Sequence, residues 1–554
     1  MSSHPSPINS LKLRVTQGSN TYEQVIPSSA SGNNSVPITN ADLLNAFNSQ
    51  PLGTIFTPSI IATYGSDSSG NAATSVSTPS TQANFVARVI SLANIPNKET
   101  TDTSFSLSSL ITTVSTGNIS YLSSNQAVAT VNSSGQVTPV GVGTTTITVS
   151  QAATVNHPAG TASATFTVTL PQEWVKRGQD IDGEAAYDLS GTSVSVSADG
   201  TIVAIGAQGN SSYRGHVRVY AWNGTAWVKR GQDIDGEGSN DRSGYSVSLS
   251  ADGTILAIGA QGNAGNSFNN GHVRVWAWNG TAWVKRGQDI DGEGSNDYSG
   301  TSVSLSADGT IVAIGAIFND DNGLIDIGHV RVWAWNGTAW IQRGQDIDGE
   351  TAFDNSGYSV SLSADGTIVA IGAIRNLGYR GHVRVWAWNG TAWIQRGQDI
   401  DGEAADDRNG TSVSLSADGT IVAIGATDND GNGSNSGHVR VWAWNGTAWV
   451  QRGQDIDGEA TNDFSGYSVS LSADGTIVAI GAPVNSSSRG HVRVWAWNGT
   501  AWVKRGQDID GETSGDRSGT SVSISADGTI VAIGATDNDG NGSNSGHVRV
   551  FKYQ

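Results

Sequence analysis

From residue 174 onward the chain repeats one unit seven times, and no other feature restricts its possible folds as strongly. The marker tryptophans Trp174, Trp227, Trp283, Trp340, Trp393, Trp449 and Trp502 stand 53, 56, 57, 53, 56 and 53 residues apart. Length varies only between the Ile-Gly-Ala and Gly-His-Val elements. That insert has seven residues (208–214, 374–380, 483–489), ten (261–270, 427–436, 536–545) or eleven (317–327). Each unit is too small to bury both of its faces, so the copies must stack on one another.

Within a copy, period-two alternation predicts four strands: a (Thr301–Ser306), b (Thr310–Gly315), c (His329–Trp335) and d (Ala339 to about Gln345). Asp308-Gly309 makes the a–b turn. Asn-Gly hairpins at Asn223, Asn279, Asn336, Asn389, Asn445 and Asn498 join c to d. Strand c places His272, Arg274, Trp276 and Trp278 on one face and Val273, Val275 and Ala277 on the other, which lets large side chains of one unit fill against small ones of the next. Four-stranded meanders repeated seven times predict an all-β, seven-bladed β-propeller over 171–554. The first copy supplies only a strand d and the last stops after c, so 174–181 is expected to pair with 547–553 and close the ring. The a–b and c–d turns then share one end, nearly identical in every copy. The variable b–c loops and the d–a segments share the other, which is the expected contact face.

Composition narrows the function classes. There are no cysteines among 554 residues, which removes disulfides, thiolate metal sites and thiol nucleophiles. A net charge of −19 without a basic stripe makes nucleic acid an unsuitable partner. Apolar runs such as 202–205 are far below the ~20 residues of a membrane span. The start lacks the charged and apolar regions of a Sec signal, so the expected location, an extracellular surface or a virus or phage particle, implies another export route.

Two segments precede the repeats. Residues 1–83 are rich in Ser, Thr and Asn, with a strand over Leu11–Val15 and a helix-like stretch at 40–47; they are expected to be a small β-rich attachment or docking segment, a candidate for self-assembly. Residues 84–170 have the rhythm of a small antiparallel β-sandwich. The runs Ser123–Val131, Ser134–Thr138 and Gly141–Thr148 resemble the bacterial Ig-like domains of group 2, and that resemblance implies a spacer or adhesive module used in display.

Every copy also carries Gln-Asp-Ile-Asp-Gly-Glu followed by an Asp, with carboxylates at positions 1, 3, 5 and 9. Examples are Asp180, Asp182, Glu184 and Asp188, and Asp233, Asp235, Glu237 and Asp241. Alternate oxygens of a turning loop suit Ca²⁺; plain turns capped by Asp are the competing reading. A second calcium candidate is the b–c loop with Asp428, Asp430 and Asn432 followed by Gly433, repeated as Asp537, Asp539 and Asn541. Candidate ligand contacts on the variable loops are Tyr213, Arg214, Phe268, Phe318, Asp320, Asp321, Tyr379, Arg380 and Arg489.

The element Ser465-Gly-Tyr-Ser-Val-Ser470 followed by Ile480-Gly-Ala-Pro483 resembles the FG-GAP repeats of integrin α-subunit propellers, across all seven copies. Tyr or Thr replaces the Phe, and the stretch that holds the family's calcium loop is cut to Ser-Ala-Asp-Gly. The resemblance implies a propeller used in adhesion or binding. Seven of nine histidines share one repeat position, which reads as structural, and no asymmetric acid, base or nucleophile cluster stands out, so a non-enzymatic protein is expected. The expected function is adhesion or binding to a protein or glycan; a structural subunit of a virion, sheath or filament and a glycan-binding propeller lectin are the alternatives.

Overall fold

The computed structural model describes the strands at 8–17, 20–26, 57–66 and 72–77, and residues 90–554 except 156, 265–267 and 321–323. The helix-like stretch at 40–47 lies outside the described residues. The chain divides into two compact units, 1–171 and 172–554.

In the first unit, Ile8–Gln17 pairs antiparallel with Asn20–Ile26 on one side and with Thr57–Ser66 on the other, and Ala72–Ser77 completes the sheet. Beyond it, Gly143–Gln151 and Gly160–Thr169 form a long antiparallel pair, with Ile119–Ser123 outside the first and Lys98–Glu99 outside the second. A smaller sheet joins Ala129–Val131, Gln136–Pro139 and Phe105–Ser106. Alternation along these strands buries Val137, Ile147, Val149, Phe166 and Val168 in one core, which Leu107 joins from the turn after Phe105–Ser106.

The second unit holds seven sheets built on one plan. In one of them, strands a (Ser299–Leu305), b (Ile311–Ala316) and c (His329–Trp335) run antiparallel in sequence order. Strand d differs from the sequence expectation. It is broken into Trp340–Gln342 and Ile347–Asp348, both hydrogen-bonded to strand c. The break sits at Gly344, whose φ of +85° is open to glycine and strained for other residues. A Cβ there would stand 2.6 Å from the ring of Trp388 in the next sheet, so only glycine fits where the neighbour's indole packs.

Both faces of strand c are buried over its first half, where His329, Val330, Arg331 and Val332 are inaccessible; Trp333, Ala334 and Trp335 are half-buried. The marker tryptophans are the deeply buried ones. Trp340 is 1% exposed and its indole N–H donates to the Arg286 carbonyl of the preceding sheet at 2.8 Å. Gln288 of that sheet clamps the Trp340 backbone, accepting from its N–H and donating to its carbonyl. The second indole of each pair, such as Trp388 beside Trp393 at 5.4 Å, lies under the Arg343 guanidinium at 4.9 Å.

Strands a form the innermost layer, and their alternating serines explain how they meet. Backbone N–H groups donate to carbonyls from Ala198 to Ala251, then to Ala307, Ala364, Ala417, Ala473, Ala526 and back to Ala198, each at 2.8 to 2.9 Å. A second ring runs through hydroxyls: Ser193 donates to the Gly244 carbonyl, Ser246 to Gly300, and the pattern returns with Ser521 to Gly191. Small side chains are needed for neighbouring strands to approach so closely, which is why strand a reads Ser-x-Ser-x-Ser. The ring closes in the last sheet, where Trp174 pairs with Tyr553 and Ile181 with Val548. Tightly linked sheets around one axis make the unit a β-propeller.

Candidate functional site

Strand a begins at the end where the b–c loops leave strand b, and the residue after its Ser-Gly or Asn-Gly faces the axis. Around the ring these residues are Thr192, Tyr245, Thr301, Tyr358, Thr411, Tyr467 and Thr520, so tyrosine alternates with threonine except where Thr520 and Thr192 meet. All seven line one axial cavity of about 490 Å³, together with Leu189, Phe464, Pro483, Val484, Gln208, Arg517, Thr536 and Asp537. The threonines are locked by their own turns: Thr192, Thr301, Thr411 and Thr520 donate their hydroxyl hydrogens to the carbonyls of Leu189, Tyr298, Arg408 and Arg517, each at 2.8 Å. Burial raises the phenols of Tyr245 and Tyr358, and their mutual proximity and that of Tyr467 adds to it. Burial also raises Tyr467. All three are neutral hydroxyls at physiological pH.

The tyrosine ring is absent from the sequence-based candidates. Its signal was present in the Thr/Tyr alternation after Ser-Gly, but nothing in a sequence shows which strand is nearest the axis.

The acidic segments do not gather their four carboxylates at one point. Asp233 meets the Lys229 ammonium at 2.6 Å, and Asp235 lies 3.9 Å from Arg214. Glu237 reaches the next sheet, 3.7 Å from Arg274 and 4.0 Å from His272. Asp241 turns back and accepts from the Glu237 and Gly238 amides at 2.8 and 2.6 Å. The first copy repeats the pattern: Asp180 meets Lys176 at 2.8 Å, Glu184 lies 3.7 Å from Arg218, and Asp188 caps the Glu184 and Ala185 amides. Asp182 stands 4.0 Å from His547.

The divergence has a local cause. Positions 2 and 3 of each segment are the second piece of strand d, so the residues on either side leave in different directions. Position 9 sits between two left-handed residues, Asn240 (φ 68°) and Arg242 (φ 56°) in the second copy. What the fold does assemble is a trio from two adjacent sheets, such as Glu237, His272 and Asp289, whose ligand atoms lie within 4.8 Å of one another. Burial pulls His272 and His438 down to about 4, with Arg274 and Arg440 acting in the same direction.

On the b–c loops, Asp428 pairs with Arg408 at 3.1 Å, and Asp430 accepts from the Asn435 amide at 2.8 Å. Asn432 donates to the Gly458 and Glu459 carbonyls of the neighbouring acidic segment. Asp537, Asp539 and Asn541 repeat these contacts with Arg517, Asn544 and Gly183. A groove of about 340 Å³ runs between Asp428–Asn435 and Glu403–Asp407.

Of the ligand candidates, Arg214, Arg380 and Arg489 act as clips, each donating from Nε to the glycine carbonyl of the adjoining acidic segment at 2.6 Å. Tyr213 and Tyr379 are exposed beneath the guanidiniums of Arg242 and Arg408. Phe268 is exposed, while Phe318 packs edge-on to Tyr298 at 5.4 Å. Asp320 accepts from the Asp326 amide, and Asp321 lies outside the described residues.

Sequence comparison agrees with the motifs. Residues 509–551 match the FG-GAP repeat, and residues 113–154 match the immunoglobulin-like domain of intimin. The chain carries both modules. No curated protein matches the chain in sequence.

Among solved structures, the chain is similar to a putative 6-phosphogluconolactonase from Bacteroides uniformis (12% identity, 61% of this chain and 90% of that one, TM-score 0.44). It is also similar to the periplasmic gluconolactonase of Pseudomonas aeruginosa (17%, 62% and 89%, 0.41) and to the β-propeller domain of the trilobed protease from Pyrococcus furiosus (10%, 62% and 90%, 0.36). The expectation of a non-enzymatic protein is corrected here. Two of these similar structures are named as lactonases and a further one as an oligogalacturonate lyase. Likeness at this level assigns no activity to the chain.

Proposed function

We propose that the protein is a surface-displayed binding protein composed of an N-terminal attachment segment, an Ig-like β-sandwich and a seven-bladed propeller that carries the binding face. The FG-GAP and intimin-type modules support a surface binding or adhesion role. No helix among the described residues is long and apolar enough to cross a membrane.

The carrying observation is the asymmetry of the propeller's two ends. At one, the Asp-Gly turn is the same in all seven sheets and the Asn-Gly turn in the six that have it; at the other, loop length, loop chemistry and the Thr/Tyr ring all vary. Selective recognition needs differing chemistry, and it is gathered on that end. Calcium belongs to this reading as a rigidifying ion for the acidic groove beside Asp428 and Asp430.

The test is a glycan and cell-surface binding assay of the full chain. Phe318→Ala with Tyr379→Ala is compared with Thr338→Ala and Thr391→Ala at the turn end. Loss confined to the first pair supports the reading. No binding, together with ordered self-assembly in sedimentation, would move the protein to the structural-subunit class.

A further inference from the structure

We propose that the axial cavity binds a small hydroxylated carboxylate, a sugar acid of hexuronate size. This rests on the binding role above and names a ligand class for its face.

The wall is rich in donors. Three phenolic O–H groups, from Tyr245, Tyr358 and Tyr467, come from alternate sheets into one space, and the Gln208 amide and Arg517 guanidinium join them. The one carboxylate on that wall, Asp537, is already held by Arg517 at 3.3 Å and by the Thr536 hydroxyl at 2.8 Å. The threonine hydroxyl hydrogens are committed to backbone carbonyls. A complementary ligand therefore supplies acceptors, and a carboxylate is the strongest small acceptor available.

Charge acts in the same direction: guanidiniums of Arg242, Arg408 and Arg517 favour negative charge at the three phenols, with Asp428 and Asp537 paired to the last two, and Arg517 is the one cation among the residues that line the cavity. Leu189, Phe464, Pro483 and Val484 give the remaining wall an apolar character suited to the C–H faces of a sugar ring. The volume lies within the ~300–1,000 Å³ of small-molecule sites.

The test is calorimetric titration of the full chain with D-glucuronate and D-galacturonate at 0.15 M NaCl and pH 7, with D-glucose and D-galactose as neutral counterparts. The uronates should bind at least about ten-fold more tightly than the neutral sugars, the worth of one charge-assisted hydrogen bond. Tyr245→Phe/Tyr358→Phe/Tyr467→Phe should weaken that binding about ten-fold or more with an unchanged melting temperature. Where the triple variant is less stable, Tyr467→Phe alone reads the same loss at the most exposed ring. Absence of uronate saturation at millimolar concentration, equal affinity for the neutral sugars, or full affinity in the phenylalanine variants would each overturn the assignment. Uronate failure alongside loop-dependent binding to a surface would leave the broader binding role standing.

Discussion

Replacing Asp516 by alanine should destabilise the propeller by about 3 kcal/mol, and the structure shows how. The side chain is 2% exposed and accepts from the Glu512 amide at 3.1 Å, the Thr513 amide at 2.8 Å and the Thr513 hydroxyl at 2.7 Å. Removing it strands those donors at a position flanked by the left-handed residues Gly515 and Arg517, so the turn loses the contacts that hold it. Hydrogen bonds to a carboxylate contribute ~1.5–3 kcal/mol each, and partial rescue of the amides by water brings the sum to the stated figure. Burial opposes ionisation of Asp516, but the Thr513 hydroxyl and amide and the Asn538 side chain outweigh it and hold the carboxyl below its ordinary range. The stabilisation is therefore complete above the unfolded-state pKa and is lost as pH falls through the folded one. All 18 tryptophans lie between Trp174 and Trp502, so guanidinium unfolding followed by indole emission reads this unit alone. A shift of the midpoint worth less than about 0.5 kcal/mol at pH 7, or one equally large at pH 2, would refute the capping argument.

Other outcomes follow from the same contacts. Burial lowers His216, His272, His382, His438, His491 and His547, so the unfolded chain binds more protons below about pH 6.5, and stability should fall as pH drops from there toward 4; unfolding curves at half-unit intervals give the slope, and His272→Gln should reduce it. Removing residues 547–554 should leave strand 530–535 with an open edge and strands 174–176 and 181–182 without a partner, and should produce aggregates on size exclusion. Gly344→Ala should cost on the order of 2–3 kcal/mol, from positive φ together with the clash against Trp388, measured by the same indole emission. With calcium in millimolar excess over EDTA, the melting temperature should rise in the parent chain and rise less in Asp428→Ala/Asp430→Ala, as scanning calorimetry would record.

The period, the Asn-Gly hairpins and the strand alternation were legible because each is a local consequence of backbone geometry repeated many times. The pairing of 174–181 with 547–553 was legible too, since two incomplete copies complement each other. The break in strand d was not. Arg343-Gly344 continues the alternating pattern, and nothing local in the sequence shows that Trp388 and Trp393 of the adjoining sheet pack against Gly344.

The same distinction applies to the site. Carboxylates spaced 1, 3, 5 and 9 look convergent when the segment is taken as one loop, but Ile234-Asp235 is a strand, and its flanks are drawn to Lys229, Arg274 and the segment's own amides. Those partners come from three different elements, one of them, the strand of Arg274, distant in sequence. The tyrosines had a visible rhythm, yet it could be read only as a departure from Phe-Gly. Their meaning depends on radius: the same alternation on an outer strand would decorate a surface, and on the innermost strand it closes three hydroxyls around one axis.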